Sequence, residues 1–112
     1  MSYVIGAKMG KVNLNLNKSQ LKEGQPTKAE AGGKSMALVL HGGKVYAINS
    51  VCTHEGGPLD EGSVDGDEIV CPWHAGAYNI MTGKANEKTN WVHDTETYKI
   101  EVDAKGNLWA II

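Results

Sequence analysis

Cysteine is scarce in this chain: Cys52 and Cys71 are the only two among 112 residues. Two cysteines permit at most one internal disulfide, and a reduced, metal-suited pair fits a cytoplasmic protein. Long apolar runs are missing as well. None approaches the roughly 20 residues of a membrane helix, and Met1 to Met9 is too short and wrongly laid out for a signal peptide. There is no internal repeat, no linker and no long amphipathic helix, so the length reads as one small domain. No basic stripe with interleaved aromatics is present, which argues against nucleic acid as a partner. Proline stops at Pro72.

Positive charge is absent from the middle of the chain. Residues 45–83 hold no Lys or Arg and six acids, namely Glu55, Asp60, Glu61, Asp65, Asp67 and Glu68. Residues 1–44 hold seven lysines against two glutamates. A field of this kind steers a basic partner and speeds encounter. An ordinary solvated loop would carry the same acids.

What is present concentrates in the same acidic region. The chain reads Cys52-Thr53-His54-Glu55-Gly56-Gly57-Pro58-Leu59, then an acidic run, then Cys71-Pro72-Trp73-His74-Ala75-Gly76-Ala77-Tyr78. Cys and His together on short loops point to a soft or borderline metal. In extended chain, residues two apart face the same way, ~6.5 Å apart, so Cys52 and His54 are able to share one site. Pro72 sets its own φ and removes one backbone donor, which lets the turn from Cys71 to His74 present a second sulfur and a second imidazole. Gly56, Gly57 and Gly76 allow backbone conformations closed to other residues and bring bare N–H groups near the site. Residue types alone leave other readings open. These are a structural zinc in a Cys2His2 site, a Cys52–Cys71 disulfide that leaves both histidines unexplained, and buried cysteines with unrelated surface histidines.

The two-loop pattern resembles the Rieske family of [2Fe–2S] proteins, and the soluble Rieske ferredoxins in particular. The likeness runs from about Leu21 to the C-terminus; residues 1–20 carry none of it. The resemblance implies one [2Fe–2S] cluster per chain, with Cys52 and Cys71 on one iron and His54 and His74 on the other, and histidine ligation raises the potential above that of all-Cys clusters. It also implies an all-β Rieske fold of stacked antiparallel sheets, with residues 1–49 and 83–112 as a base domain and 50–82 as an inserted cluster-binding subdomain.

The chain departs from the respiratory branch of the family in ways that bear on potential. Those members carry two further cysteines that tie the loops together; the matching positions here are Gly57 and Trp73. They place a serine two residues after the second histidine and a tyrosine four residues after it, both donating to cluster sulfur. Here these are Gly76 and Tyr78. Each donor stabilises the more negative, reduced form. One hydroxyl lost and one kept places the expected potential in the lower part of the family range of roughly −150 to +300 mV. A proline-bearing loop covers the cluster in relatives; here the cover is expected to rest on Trp91 and Val92.

Taken in order, residues 11–17 alternate as a half-buried strand. Ser19 to Gly24 predicts one helical turn with Ser19 as cap. Residues 25–34 read as loop. Met36 to Leu40 and Lys44 to Ile48 predict a hairpin through Gly42-Gly43, with His41 as a turn residue. Glu68 to Val70 predicts a strand into Cys71, and Tyr78 to Met81 leads away. Residues 84–95 are polar and irregular, with His93 a surface residue. Thr97 to Val102 predicts a strand with Tyr98, Ile100 and Val102 inward, and Leu108 to Ile112 a last one.

The resemblance implies a one-electron carrier working between a reductase and an oxygenase, not an enzyme: iron with four protein ligands and bridging sulfides has no open position. The chain is also too short to hold the mononuclear iron domain of a Rieske oxygenase. The expected mechanism has His54 and His74 at the solvent edge as the point of electron exit, their protonation coupled to reduction. Alternatives are a small subunit of a nitrite-reductase type enzyme, a zinc-stabilised interaction module, and a redox sensor.

Overall fold

Alternating apolar and polar side chains build most of the strands in the computed structural model, which describes residues 10–53 and 56–111. In β1 (Lys11–Asn17) Leu14 is buried and Asn13 and Asn15 are exposed. The strand is irregular between Asn13 and Asn17, where Asn15 takes φ +58° and donates its N–H to its neighbour Asn13 Oδ1 at 2.8 Å. The helical turn expected from Ser19 is a single 3₁₀ turn, Lys18–Gln20, and its cap is Asn17. The Asn17 side chain accepts from Ser19 N–H while the Gln20 side chain accepts from Asn17 N–H. Reciprocal capping moves the cap from the expected Ser19 back to Asn17, and Leu21 then turns into the core and ends it.

Residues 25–34 are not all loop. Thr27–Ala31 forms β2. The segment does alternate, but its inward residues are Ala29 and Ala31, small enough to lack the usual strand signature. Gly32 and Gly33 turn it into β3 (Lys34–His41), and Gly42 and Gly43 turn β3 into β4 (Lys44–Asn49). Both glycine pairs hold positive φ at both positions, +56° and +79°, then +60° and +80°. That is the two-residue hairpin geometry matching strand twist. β5 (Ser63–Asp65), β6 (Glu68–Val70) and β7 (Ala77–Asn79) follow, then β8 (Thr97–Val102) and β9 (Asn107–Ile111).

Six strands form one sheet in the order β1-β9-β8-β4-β3-β2, and β5-β6-β7 form a second. Every pairing between these strands is antiparallel. The all-β expectation therefore holds. β3 is buried on both faces. Met36 and Leu38 join Leu14, Leu21 and Leu108 in the base core, while Ala37 and Val39 join Ile48 under the cysteines, with Leu59, Ile69, Tyr78, Ile80 and Val92. Each full burial of a Leu or Ile side chain is worth ~1.5–3 kcal/mol, so the site rests on a packed floor.

Two further expectations need correction. Val102 is exposed, at 41%. β4 and β8 pair only at Ala47–Tyr98 and Ile48–Thr97, so the ladder between them ends at Tyr98 and Val102 lies beyond it. His41 closes β3 opposite Lys44, and its Nε2 lies 2.9 Å from Asp67 Oδ1. It thereby ties the six-stranded sheet to the turn between β5 and β6. Among the described residues, no helix is long and apolar enough to cross a membrane.

Candidate metal centre

β4 delivers the chain to Cys52, and the exit is pinned before it arrives. Asn49 N–H donates to Glu96 O, Asn49 Oδ1 accepts from Val51 N–H, and the buried Ser50 hydroxyl bonds Ser35 Oγ at 2.6 Å. Cys52 N–H then donates to Gly57 O at 2.7 Å. β6 delivers Cys71, whose N–H donates to Gly76 O, also at 2.7 Å. The two loops thus close in the same way, from a cysteine amide to a glycine carbonyl five residues on. Beyond the second loop, β7 sets Tyr78 opposite Ile69 in the register of β6.

Both cysteines are buried, at 2% exposure, and neither is bridged; the disulfide reading does not hold. The Tyr78 hydroxyl lies 3.2 Å from Cys52 Sγ, and Trp73 N–H donates to Cys71 Sγ at 3.3 Å. Burial pushes the Cys71 thiol up to about 11; Trp73 N–H opposes the shift and the neighbouring Cys52 side chain adds to it. Burial, with the Cys52 contact adding to it, pushes Tyr78 up to about 12, so its hydroxyl keeps its proton through the neutral range. His74 is exposed and held with φ +67°, and Ala75 follows at +60°. Such backbone costs roughly 1–3 kcal/mol per non-glycine residue and persists only where the surroundings impose it. His54 and Glu55 lie outside the described residues.

The glycines act differently from expectation. Gly56 does need left-handed backbone, at φ +74°. Gly57 and Gly76 do not; they are required by space. A Cβ on Gly57 would lie 2.6 Å from Cys71 Sγ and 3.1 Å from Trp73, and one on Gly76 would lie 2.5 Å from Val92 Cγ1. Val92 is buried against the second loop, where it meets Gly76, and Trp91 beside it is exposed. Val92 fills the space that a side chain at residue 76 would need.

One residue escaped the sequence reading. Thr53 donates its N–H to Tyr78 Oη at 2.8 Å, and its Oγ1 lies 2.9 Å from the same oxygen. The Oγ1 also accepts from His93 N–H at 2.8 Å. Its only signal in the sequence was a hydroxyl set between two candidate ligands. His93 serves through its backbone, with its side chain at the surface as expected.

Two buried, unbridged sulfurs, each facing a group able to donate a hydrogen bond, suit anionic sulfur bound to iron. Residues 11–99 match the Rieske [2Fe–2S] domain. The chain belongs to this family. The match starts at Lys11, ten residues before the likeness read from the sequence, so β1 is part of it. The Rieske chain is 34% identical over 83 residues to the ferredoxin component of the naphthalene 1,2-dioxygenase/salicylate 5-hydroxylase systems of Ralstonia sp, covering 74% of this chain and 79% of that one. The ferredoxin of carbazole 1,9a-dioxygenase from Nocardioides aromaticivorans IC177 superimposes with a TM-score of 0.81 at 30% identity, covering 90% of this chain and 96% of that one. A ferredoxin-containing complex of reduced oxygenase and oxidized ferredoxin in carbazole 1,9a-dioxygenase gives 0.79 at 27% identity, covering 90% and 92%. The cofactor of this Rieske domain is a [2Fe–2S] cluster, which sets aside the zinc reading.

Proposed function

We propose that this Rieske protein is a one-electron carrier that takes an electron from a reductase and passes it to an oxygenase, acting as a shuttle and not a catalyst. Cys52, Cys71, His54 and His74 hold the cluster, within a unit of residues 50–82 inserted in a base of 1–49 and 83–112. The cluster supplies a single reversible electron. Around it, the chain's own residues exclude water with Val92, donate to sulfur from Tyr78 and Trp73, and leave His74 exposed where a partner can approach. The observation that carries the reading is the pair of buried, unbridged sulfurs, each with its own donor. The dioxygenase ferredoxins similar to this chain support an oxygenase as acceptor, and a cytoplasmic location goes with that role. Exposed Val51, Trp73 and Trp91 beside the two loops give the acceptor an apolar contact surface.

Tyr78→Phe removes one donor to Cys52 and lowers the reduction potential. A net hydrogen bond of about 1 kcal/mol, weighted toward the reduced form, is on the order of 40 mV for one electron. Redox titration checks it, and an unchanged potential rules out tuning by the hydroxyl.

The function itself is tested by mixing the reduced protein with the oxidised oxygenase component of a naphthalene dioxygenase system and following re-oxidation by stopped flow. Re-oxidation within milliseconds to seconds supports an oxygenase acceptor; no transfer to the oxygenase argues against it. Acidic steering makes this rate fall as salt rises. Asp67 lies against His41 and Glu68 accepts from the neutral Asn86 amide, contacts that place these carboxylates without removing the charge of Glu68. Among the described residues of this segment, Asp60, Glu61, Asp65, Asp67 and Glu68 carry the field. We expect a fall of about threefold to tenfold between low and physiological salt, and a flat response would remove steering from the account.

A further inference from the structure

We propose that Thr53 is a positioning residue that aims the Tyr78 hydroxyl proton at Cys52 Sγ. The inference rests on the reading of Cys52 as an iron ligand. Three atoms surround Tyr78 Oη: Thr53 N at 2.8 Å, Thr53 Oγ1 at 2.9 Å and Cys52 Sγ at 3.2 Å. A phenol has one proton to give and room to accept two. Thr53 N–H is a donor, so it fills one acceptor place. The remaining question is which of Thr53 Oγ1 and Cys52 Sγ receives the single tyrosine proton.

The cover segment answers it. His93 N–H donates to Thr53 Oγ1 at 2.8 Å. The threonine proton then has two oxygens within reach, His93 O at 3.3 Å and Tyr78 Oη at 2.9 Å. The shorter contact is the stronger one, and it fills the second acceptor place on the tyrosine. The tyrosine proton is left with the sulfur, which as an iron-bound thiolate accepts and never donates. The result is one directed chain, His93 N–H to Thr53 Oγ1–H to Tyr78 Oη–H to Cys52 Sγ. Hydrogen bonds aligned head to tail polarise one another. Without the threonine hydroxyl, Oη keeps an empty acceptor place and the phenol loses the alignment that fixes its proton. The tyrosine's influence on the potential therefore depends on the residue next to the ligand and, through His93, on the cover.

The test is a cycle of four holoproteins: the parent, Thr53→Val, Tyr78→Phe and the double variant, with Thr53→Ser as the conservative control. Redox titration followed by EPR reads the potential. Thr53→Val should lower it in the same direction as Tyr78→Phe and by at least half as much. The double variant should match Tyr78→Phe, because threonine acts through tyrosine. Thr53→Ser should sit at the parent value. A second readout is the shift of the iron–cysteine stretching bands in D2O, expected in the parent and Thr53→Ser and weakened in Thr53→Val. A parent-like potential in Thr53→Val, or additive shifts in the double variant, overturns the proposal. Thr53→Ala replaces the valine variant if that one carries no cluster. Loss of cluster in both, with Tyr78→Phe loading normally, also overturns it, since threonine would then serve assembly and not the tyrosine. A parent protein lacking the mixed Cys/His signal is a failure of the ligand reading instead, and is visible before any variant is made.

Discussion

Cys71→Ser purifies as a colourless protein with less than about a tenth of the parent's iron. The sulfur it removes is at 2% exposure, faces Cys52 and takes a hydrogen bond from Trp73 N–H. A serine hydroxyl in that place is harder, less readily deprotonated and shorter-reaching than a thiolate, and iron–sulfur clusters are held by soft sulfur. No other cysteine is available: the chain has two, and the second is already assigned. Because the loops order around their ligands, lost binding energy is also lost folding energy, and the variant should melt several degrees below the parent. Cys52→Ser should behave alike. Iron and sulfide analysis with a visible spectrum decides the matter, and a Cys71→Ser protein with full iron and unchanged colour would remove this cysteine from the ligand set.

Gly57→Ala is expected to do nearly as much damage without touching a ligand. Its backbone does not need glycine's conformational freedom, since φ at this position is not positive. The obstacle is the new methyl group, 2.6 Å from Cys71 Sγ and 3.1 Å from two Trp73 carbons. Overpacking of this kind costs ~1–3 kcal/mol, and here the atom that must move is the sulfur. We expect cluster occupancy to fall severalfold and the remaining cluster to be lost faster to a chelator. Gly56→Ala is the control. Among the described residues its methyl would meet only Val51 Cγ1, at 3.9 Å, so its expected cost is the strain of a left-handed alanine, ~1 kcal/mol. Equal iron retention in the two alanine variants would show that backbone strain, and not contact with sulfur, governs this loop.

Much of this was legible in the sequence because the motif is local. Cys52 and Cys71 stand out by their spacing to His54 and His74, the role of Tyr78 follows from the family resemblance, and the strands that lead into Cys52 and Cys71 were read from their apolar residues. Gly42-Gly43 announced its hairpin for the same reason. What escaped depended on contacts between distant segments. β2 was hidden because Ala29 and Ala31 face a core that only the folded sheet supplies, and small residues carry no strand signature by themselves. The pull of Asn17 on Gln20 outweighed the serine cap that pattern alone favours. Val102 alternates with Tyr98 and Ile100, yet nothing in that alternation shows that the pairing of β4 with β8 ends at Tyr98. Gly57 and Gly76 were visible as glycines, but the reason for them is the position of Cys71 and Val92 in space. Thr53 was overlooked altogether, since its role arises from Tyr78, 25 residues on, and His93, 40 residues on.

The central claim is a mixed-ligand cluster held by these two loops, and the most direct measurement is spectroscopic. Purified protein, oxidised and then reduced with dithionite, is examined by visible absorption and EPR alongside iron and sulfide analysis. The account predicts a red-brown oxidised protein with about two irons and two sulfides per chain, and a reduced signal of average g about 1.9, the mark of two histidines on one iron. A signal of the all-cysteine type would contradict it by taking His54 and His74 out of the ligand set, and a colourless protein with one zinc would contradict it entirely.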